Sequence, residues 1–205
     1  QQLTQSDESK FIHVLKRIDE MQGTFGHKIK TFFMKDNDPH DQNPIKVGTY
    51  GFIKNAPAYF GAVATNEKLH LIDFGYLMEY AILEMTKLNL GTVWLGGTFH
   101  RDQFKSFAGA DGFIPAISPI GYMEKRRLRE QITRKIVAAD RRKPLSELVF
   151  LEHFDHPIQP KTFDDQKLIQ CLECVQIAPS ASNKQPWRMV INHRYIDFYL
   201  ERTPN

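Results

Sequence analysis

Cysteine is nearly absent from this chain. Its 205 residues hold two, Cys171 and Cys174, one helical turn apart. That is too few and too local for a disulfide framework and suits a reducing compartment, so the expected location is cytoplasmic. Long apolar runs are missing too: none approaches the roughly 20 residues that span a bilayer, and Gln1 to Lys10 is polar rather than signal-like. Nothing therefore points to a membrane or to export. The formal net charge is only +3, which by itself calls for no polyanionic partner. There is no low-complexity stretch, no nucleophile elbow, no Walker loop and no dinucleotide glycine fingerprint. The eight histidines are scattered without the paired spacing of a zinc site, His153 and His156 coming nearest, so no metal is expected. Catalytic side-chain sets are scarce.

What is present describes a folded protein. The hydrophobic fraction of 41% and the charged fraction of 25% sit near the globular average, and the length allows one large compact domain or two small ones. The chain opens on Gln1 rather than Met, so its true start is expected upstream. The charge is unevenly placed. Between Lys125 and Lys143 lie nine basic residues, ending in Arg141, Arg142 and Lys143, against only Glu130 and Asp140. This is a local positive field.

Apolar residues at helical spacing (Phe11, Val14, Leu15, Ile18, Met21) predict an amphipathic helix over Asp7 to Met21, with Ser6 as N-cap and Gly23 as stop. Met34 to Val47 reads as a polar, Pro-containing loop, and Gly48 to Gly51 as a tight turn. Ala58 to Ala64 reads as a buried strand. Phe74 to Asn89, capped by Asp73 and ended by Gly91, is apolar most of the way round, the mark of a helix in the centre of a domain. Thr92 to Leu95 forms a short strand or turn, and Arg101 to Ala108 a helix-like stretch. Phe113 to Tyr122 reads as a strand interrupted by Pro115 and Pro119, which favours an edge or an irregular segment. Arg126 to Ala139 carries the basic cluster on a helix or long arm. Pro144 to Phe150 and Asp155 to Pro160 read as connections that wrap rather than build a domain. A helix over Asp164 to Ile177 carries a buried stripe of Leu168, Leu172 and Val175 that takes in Cys171, so the C-x-x-C spacing is read as core packing rather than redox or metal chemistry. Arg188 to Leu200 alternates as a strand pair around Asn192 to Arg194.

Two segments carry chemistry. Gly91-Thr92-Val93-Trp94-Leu95-Gly96-Gly97 follows the most apolar helix and sets backbone amides and a flat aromatic at a glycine-rich turn, where a ligand can approach the main chain. The plain alternative is a helix cap plus a core tryptophan. Ala178-Pro179-Ser180-Ala181-Ser182-Asn183-Lys184-Gln185-Pro186-Trp187 is dense in hydrogen-bonding residues and fixed by prolines.

The second segment resembles the PS-x-x-N-x-QPW motif of the nitroreductase-like FMN flavoproteins, through Pro179, Ser180, Asn183, Gln185, Pro186 and Trp187. Leu88 to Gly97, Ile120-Gly121-Tyr122 and Arg141-Arg142-Lys143-Pro144-Leu145 are similar to the same family, and the resemblance runs from about Gly48 to Arg202. The order of the segments resembles the tandem, fused-half branch, in which one chain mimics the usual homodimer.

The resemblance implies an α+β fold with a central mixed or antiparallel sheet flanked by helices. It implies pseudo-dimeric halves in a single composite domain over residues 1–205, divided near residue 150, and a monomer. It also implies FMN as cofactor, NADH or NADPH as hydride donor, and a small-molecule electron acceptor such as a nitroaromatic or quinone. The first half would supply Trp94, Leu95, Gly96, Gly97, Arg141 and Arg142, and the second Pro179, Ser180, Ala181 and Asn183. No side chain is implied as catalytic, because the flavin carries the reactivity. The family's N-terminal Arg-x-Ser-x-Arg motif and a second long helix to pair with Phe74 to Asn89 have no counterpart, so sequence beyond both ends is expected to complete the pocket and the helix pair. Two other readings stand beside this one: a flavin-binding protein without turnover, and a basic phosphate- or nucleic-acid-binding module built on Lys125 to Lys143. Aromatic residues do not interleave with that cluster beyond Tyr122 and Phe150, which disfavours nucleic acid.

Overall fold

The computed structural model describes residues 3–36, 53, 56–97, 99–109, 112–123 and 140–202. The chain is α+β and divides into two compact units, residues 1–125 and 126–205, each with its own sheet and core. Among the described residues no helix is long and apolar enough to cross a membrane. The expectations for the Gly48 to Gly51 turn, for most of the Met34 to Val47 loop and for Arg126 to Ala139 lie outside the described residues.

The first unit opens with α1 (Gln5–Glu20), which buries Phe11, Val14, Leu15 and Ile18 as its spacing predicts. Its N-cap is Thr4 rather than Ser6: the Thr4 hydroxyl accepts the Asp7 N–H at 3.1 Å, satisfying one of the donors that a helix start leaves open. Its C-cap is Met21, not Gly23. β1 (Lys30–Lys35) was not foreseen and takes Met34 and Lys35 out of the expected loop. β2 (Ala58–Val63) is the predicted strand and pairs antiparallel with β1. Alternation along β2 serves two cores. Ala58, Phe60 and Ala62 face α1 and α2 (Lys68–Lys87), while Tyr59 packs with Phe32 and Ile117 on the other side. Phe11 meets Phe60 edge-on at 5.3 Å, an arrangement worth about 0.5–1.5 kcal/mol beyond its buried area.

Helix α2 corrects three expectations. It starts six residues earlier than Phe74, so Asp73 lies within it instead of capping it. It buries one stripe (Phe74, Leu77, Met78, Ala81, Ile82, Met85) and leaves Leu69, Ile72, Tyr76 and Leu83 exposed, so it is not buried all round. It ends at Lys87 with Leu88 as C-cap, followed by Asn89, whose φ of 57° is left-handed, a conformation that asparagine tolerates better than most residues. Gly91 instead belongs to β3 (Leu90–Thr92). A 3-10 turn (Arg101–Phe104) and α3 (Lys105–Ala108) match the expected helix-like stretch. β4 (Ile117–Tyr122) lies inside the sheet, whose order is β1-β2-β4-β3, so the prolines do not make it an edge. Pro119 stands opposite Tyr59 of β2. Next to β3, the Val93 N–H leaves the ladder for the Ser118 hydroxyl at 3.1 Å.

The second unit holds α4 (Leu145–Leu148), β5 (Val149–Leu151), α5 (Gln166–Ile177), β6 (Trp187–Ile191) and β7 (Ile196–Leu200). β5 pairs parallel with β6, and β6 antiparallel with β7, the predicted hairpin. A parallel pair needs a crossover, here the segment containing α5. The stretch expected to be a wrapping connection is therefore core: Leu145, Leu148, Val149 and Ile158 pack with Ile169, Leu172 and Met189. Both cysteines are exposed, overturning the core-packing reading. At about 100° per residue, the inward arc of α5 is set by Ile169 and Leu172, and Cys171 and Cys174 fall outside it.

Candidate functional site

A dense polar cluster lies in the second unit, where residues 141–143 meet the loop between α5 and β6. That loop contains a 3-10 turn (Ala181–Asn183), and three of its residues are left-handed: Ser182 at φ 51°, Asn183 at 54° and Gln185 at 48°. Each non-glycine residue there costs roughly 1–2 kcal/mol, so surrounding bonds must hold the shape. They do. The Asn183 N–H donates to the Ser180 carbonyl at 3.0 Å, and the Gln185 N–H to the Ser180 hydroxyl at 2.9 Å. The Lys143 N–H donates to Gln185 Oε1 at 2.9 Å, and Gln176 Nε2 to the Lys143 carbonyl at 2.8 Å.

Arg142 joins the two segments. Its Nη1 donates to Asn183 Oδ1 at 2.6 Å and its Nη2 to the Ile177 carbonyl at 3.1 Å, while Asn183 Nδ2 donates back to the Arg141 carbonyl at 2.8 Å. A charge-assisted bond of this length is among the stronger hydrogen bonds available to a half-buried side chain. Of the residues singled out in the sequence, the structure thus brings together Arg141, Arg142, Ser180, Ala181 and Asn183, with Pro179 at the start of the loop. The two arginines belong to the second compact unit, with the loop, not to the half that carries Trp94. Arg142, Asn183 and the Ser180 hydroxyl are engaged in shaping the loop, while Arg141, Pro179 and Ala181 are exposed. At the far end of the loop, Trp187 Nε1 is buried with no hydrogen-bond partner, the one such side-chain atom among the described residues.

In the first unit, Trp94, Leu95, Gly96 and Gly97 follow β3. Trp94 Nε1 donates to Glu79 Oε2 at 2.8 Å and its ring meets Phe74 edge-on at 6.3 Å, so the tryptophan packs against α2. Leu95 is buried and exchanges backbone bonds with Ile117 at 2.9 and 3.0 Å. The turn then runs into exposed Gly96 and Gly97, and a Cβ at Gly97 would meet nothing within 4 Å. Arg101 holds this turn, donating to the Gly96 carbonyl at 2.7 Å and stacking over Phe99 at 4.8 Å. Arg101 was missed because nothing in its spacing marks it. Gln185 stands in the motif, but the motif alone assigns it no role.

A second arrangement was also missed. Asp73 is fully buried and accepts N–H donors from Phe25 at 2.9 Å and His27 at 3.0 Å, and from His27 Nδ1 at 2.8 Å. Burial pushes its carboxyl up, but the Phe25 and His27 donors outweigh it and hold the pKa below the ordinary 3.8. A Cβ at Gly23 would overlap the Asp73 side chain, so the loop closes on this carboxylate only with glycine there. His70 stacks on His27 at 4.9 Å, accepts the Thr65 N–H at Nδ1 and donates from Nε2 to the Lys28 carbonyl. These contacts tie the loop, β2 and α2 together.

Comparison with known proteins bears on the family of the chain. A family model described as "Putative TM nitroreductase" matches residues 3–202. A structure described as a putative nitroreductase from Thermotoga maritima MSB8 is similar at 19% identity and a TM-score of 0.60, over 98% of this chain and 69% of that one. An FMN-dependent nitroreductase from Clostridium difficile R20291 is similar at 16% identity and a TM-score of 0.46, over 66% of this chain and 87% of its own. A nitroreductase family protein from Clostridium novyi NT is similar at 18% identity and 0.44, over 62% and 79%. No curated protein matches. The chain belongs to this nitroreductase family.

Proposed function

We propose, from that membership, that the chain is an FMN-dependent oxidoreductase of the nitroreductase type. It would take hydride from NADH or NADPH and deliver it to a nitroaromatic, quinone or similar small acceptor. The observation that carries this reading is the bond between Arg142 and Asn183, which joins the basic segment to the PS-x-x-N loop within one unit.

The residues fit such a cofactor. FMN presents a phosphate with nearly two negative charges, a polyol and a flat ring with a hydrogen-bonding edge. Arg141, exposed beside the loop, supplies a guanidinium whose planar fork suits phosphate. Ser180 and Asn183 supply short polar side chains on a fixed loop. The orphaned Trp187 N–H is a donor still in want of an acceptor. Considered by itself, the first unit offers the turn at Trp94, Leu95, Gly96 and Gly97, whose exposed glycine main chain a planar ligand can approach. When bound, FMN supplies the two-electron chemistry, which is why no nucleophile or acid-base set is needed. The chain's own residues bind and orient: Arg142 shapes the loop, Arg141 meets the charge, and Pro179 and Ala181 present the loop's outer surface.

The test is an absorbance spectrum of the purified protein with FMN added, followed by NADPH without oxygen. A bound flavin that bleaches is the expected result. No bound flavin would overturn the reading, and a bound flavin that stays oxidised with both NADH and NADPH would make the chain a flavin binder without turnover.

A further inference from the structure

The geometry points to Gln185 as a positioning residue, whose buried carboxamide pins the PS-x-x-N loop to residues 141–143 and so sets where Ser180 and Asn183 stand toward the flavin. The inference rests on the flavin reading above. Gln185 is only 3% exposed, the one fully buried polar side chain of the loop. Its Oε1 accepts the Lys143 N–H at 2.9 Å, and its Nε2 donates to the Arg141 carbonyl at 3.3 Å and to the Asn183 carbonyl at 3.2 Å. Only this amide orientation satisfies all three contacts. Its main chain is engaged as well, through the Ser180 hydroxyl and through Arg188 Nη1, which donates to the Gln185 carbonyl at 3.1 Å. Both Nε2 protons are therefore committed to the protein, so Gln185 acts through its neighbours. A neutral side chain that donates twice and accepts once is what two carbonyls and one N–H require. Glutamate would set a carboxylate against two carbonyl oxygens, and leucine would leave all three backbone groups without this partner.

Wild type, Gln185→Glu and Gln185→Leu separate the possibilities. FMN affinity is read by flavin fluorescence, the environment of the bound ring by its visible spectrum at saturating FMN, and the pin itself by hydrogen exchange of the Lys143 amide in flavin-free protein. Loss of the paired donors is expected to weaken FMN binding about tenfold in both variants. The saturated spectrum is expected to shift, which a mere loss of stability would not cause. The Lys143 amide should exchange about tenfold faster in Gln185→Leu. Gln185→Glu keeps the size and the acceptor for Lys143, so it carries the affinity and spectral arms should the leucine variant fail to fold. Wild-type affinity and spectrum in the variants overturn the proposal. If wild type binds no FMN, the flavin reading falls and the exchange arm decides the pin alone: unchanged protection in Gln185→Leu overturns it, and faster exchange upholds it.

Discussion

Arg142 Nη1 donates to Asn183 Oδ1 at 2.6 Å between two distant stretches of chain, and Asn183 Nδ2 donates in return to the carbonyl of the neighbouring Arg141 at 2.8 Å. Arg142→Ala removes the bonds to Asn183 and Ile177 together and releases a residue held at φ 54°. FMN affinity is expected to fall at least tenfold, with a stability loss of about 1–3 kcal/mol. Arg142→Lys should recover only part of either, since one ammonium cannot span both oxygens as the fork does. Flavin titration and urea unfolding of the two variants check this.

Trp187 tests whether its orphaned donor serves the protein or a ligand. Trp187→Phe removes an unpaired buried N–H and keeps most of the ring, so the flavin-free protein should be unchanged or up to about 1 kcal/mol more stable. A simultaneous drop in FMN affinity would assign the N–H to the ligand. Unchanged affinity would leave it purely a cost of folding.

Asp73 gives the fold an acid limit. Its folded pKa lies below 3.8, so its stabilising contribution is fully present above that ordinary value and is lost as the pH falls through the lower, folded one. Unfolding free energy measured between about pH 2 and 6 should therefore fall toward the acid end in wild type and fall less steeply in Asp73→Asn, where Asp7, Glu84 and Asp102 still titrate below their ordinary values. At neutral pH that variant should be about 2 kcal/mol less stable, from weakened bonds to a buried carboxylate.

Cys171 and Cys174 are exposed. Both should react with a thiol reagent in the native protein without denaturant, and serine at either position should change stability by less than about 0.5 kcal/mol. Labelling that waits for unfolding would restore the buried reading.

The particular residues explain what was legible. The periodicity of Phe11, Val14, Leu15 and Ile18 fixes α1 because a 3.6-residue repeat has one apolar face, and the alternation from Arg188 to Leu200 fixes the hairpin for the same kind of reason. The same spacing misplaced Cys171, since a free cysteine at the border of a stripe is apolar enough to be counted in it. β1 escaped because Lys30 and Lys35 bracket only four residues, too few for a period. The candidate loop was legible through its motif. Its engagement with Arg142 was legible only as shared membership of a site, because no local pattern records which carbonyl a guanidinium will meet. Asp73 was mistaken for a cap because aspartate beside an apolar run is the usual cap signal, while its true partners lie in a loop far upstream.

The parallel pairing of β5 with β6 also has a kinetic consequence. Docking β5 on β6 closes the stretch of chain that contains α5, so its contacts come with a loss of chain entropy that local contacts do not carry. Arg142 lies just before β5 in the chain. The grip on Asn183, which closes a similarly long stretch of chain, is then expected late in folding, and the time course of binding competence in refolding should lag that of helix content.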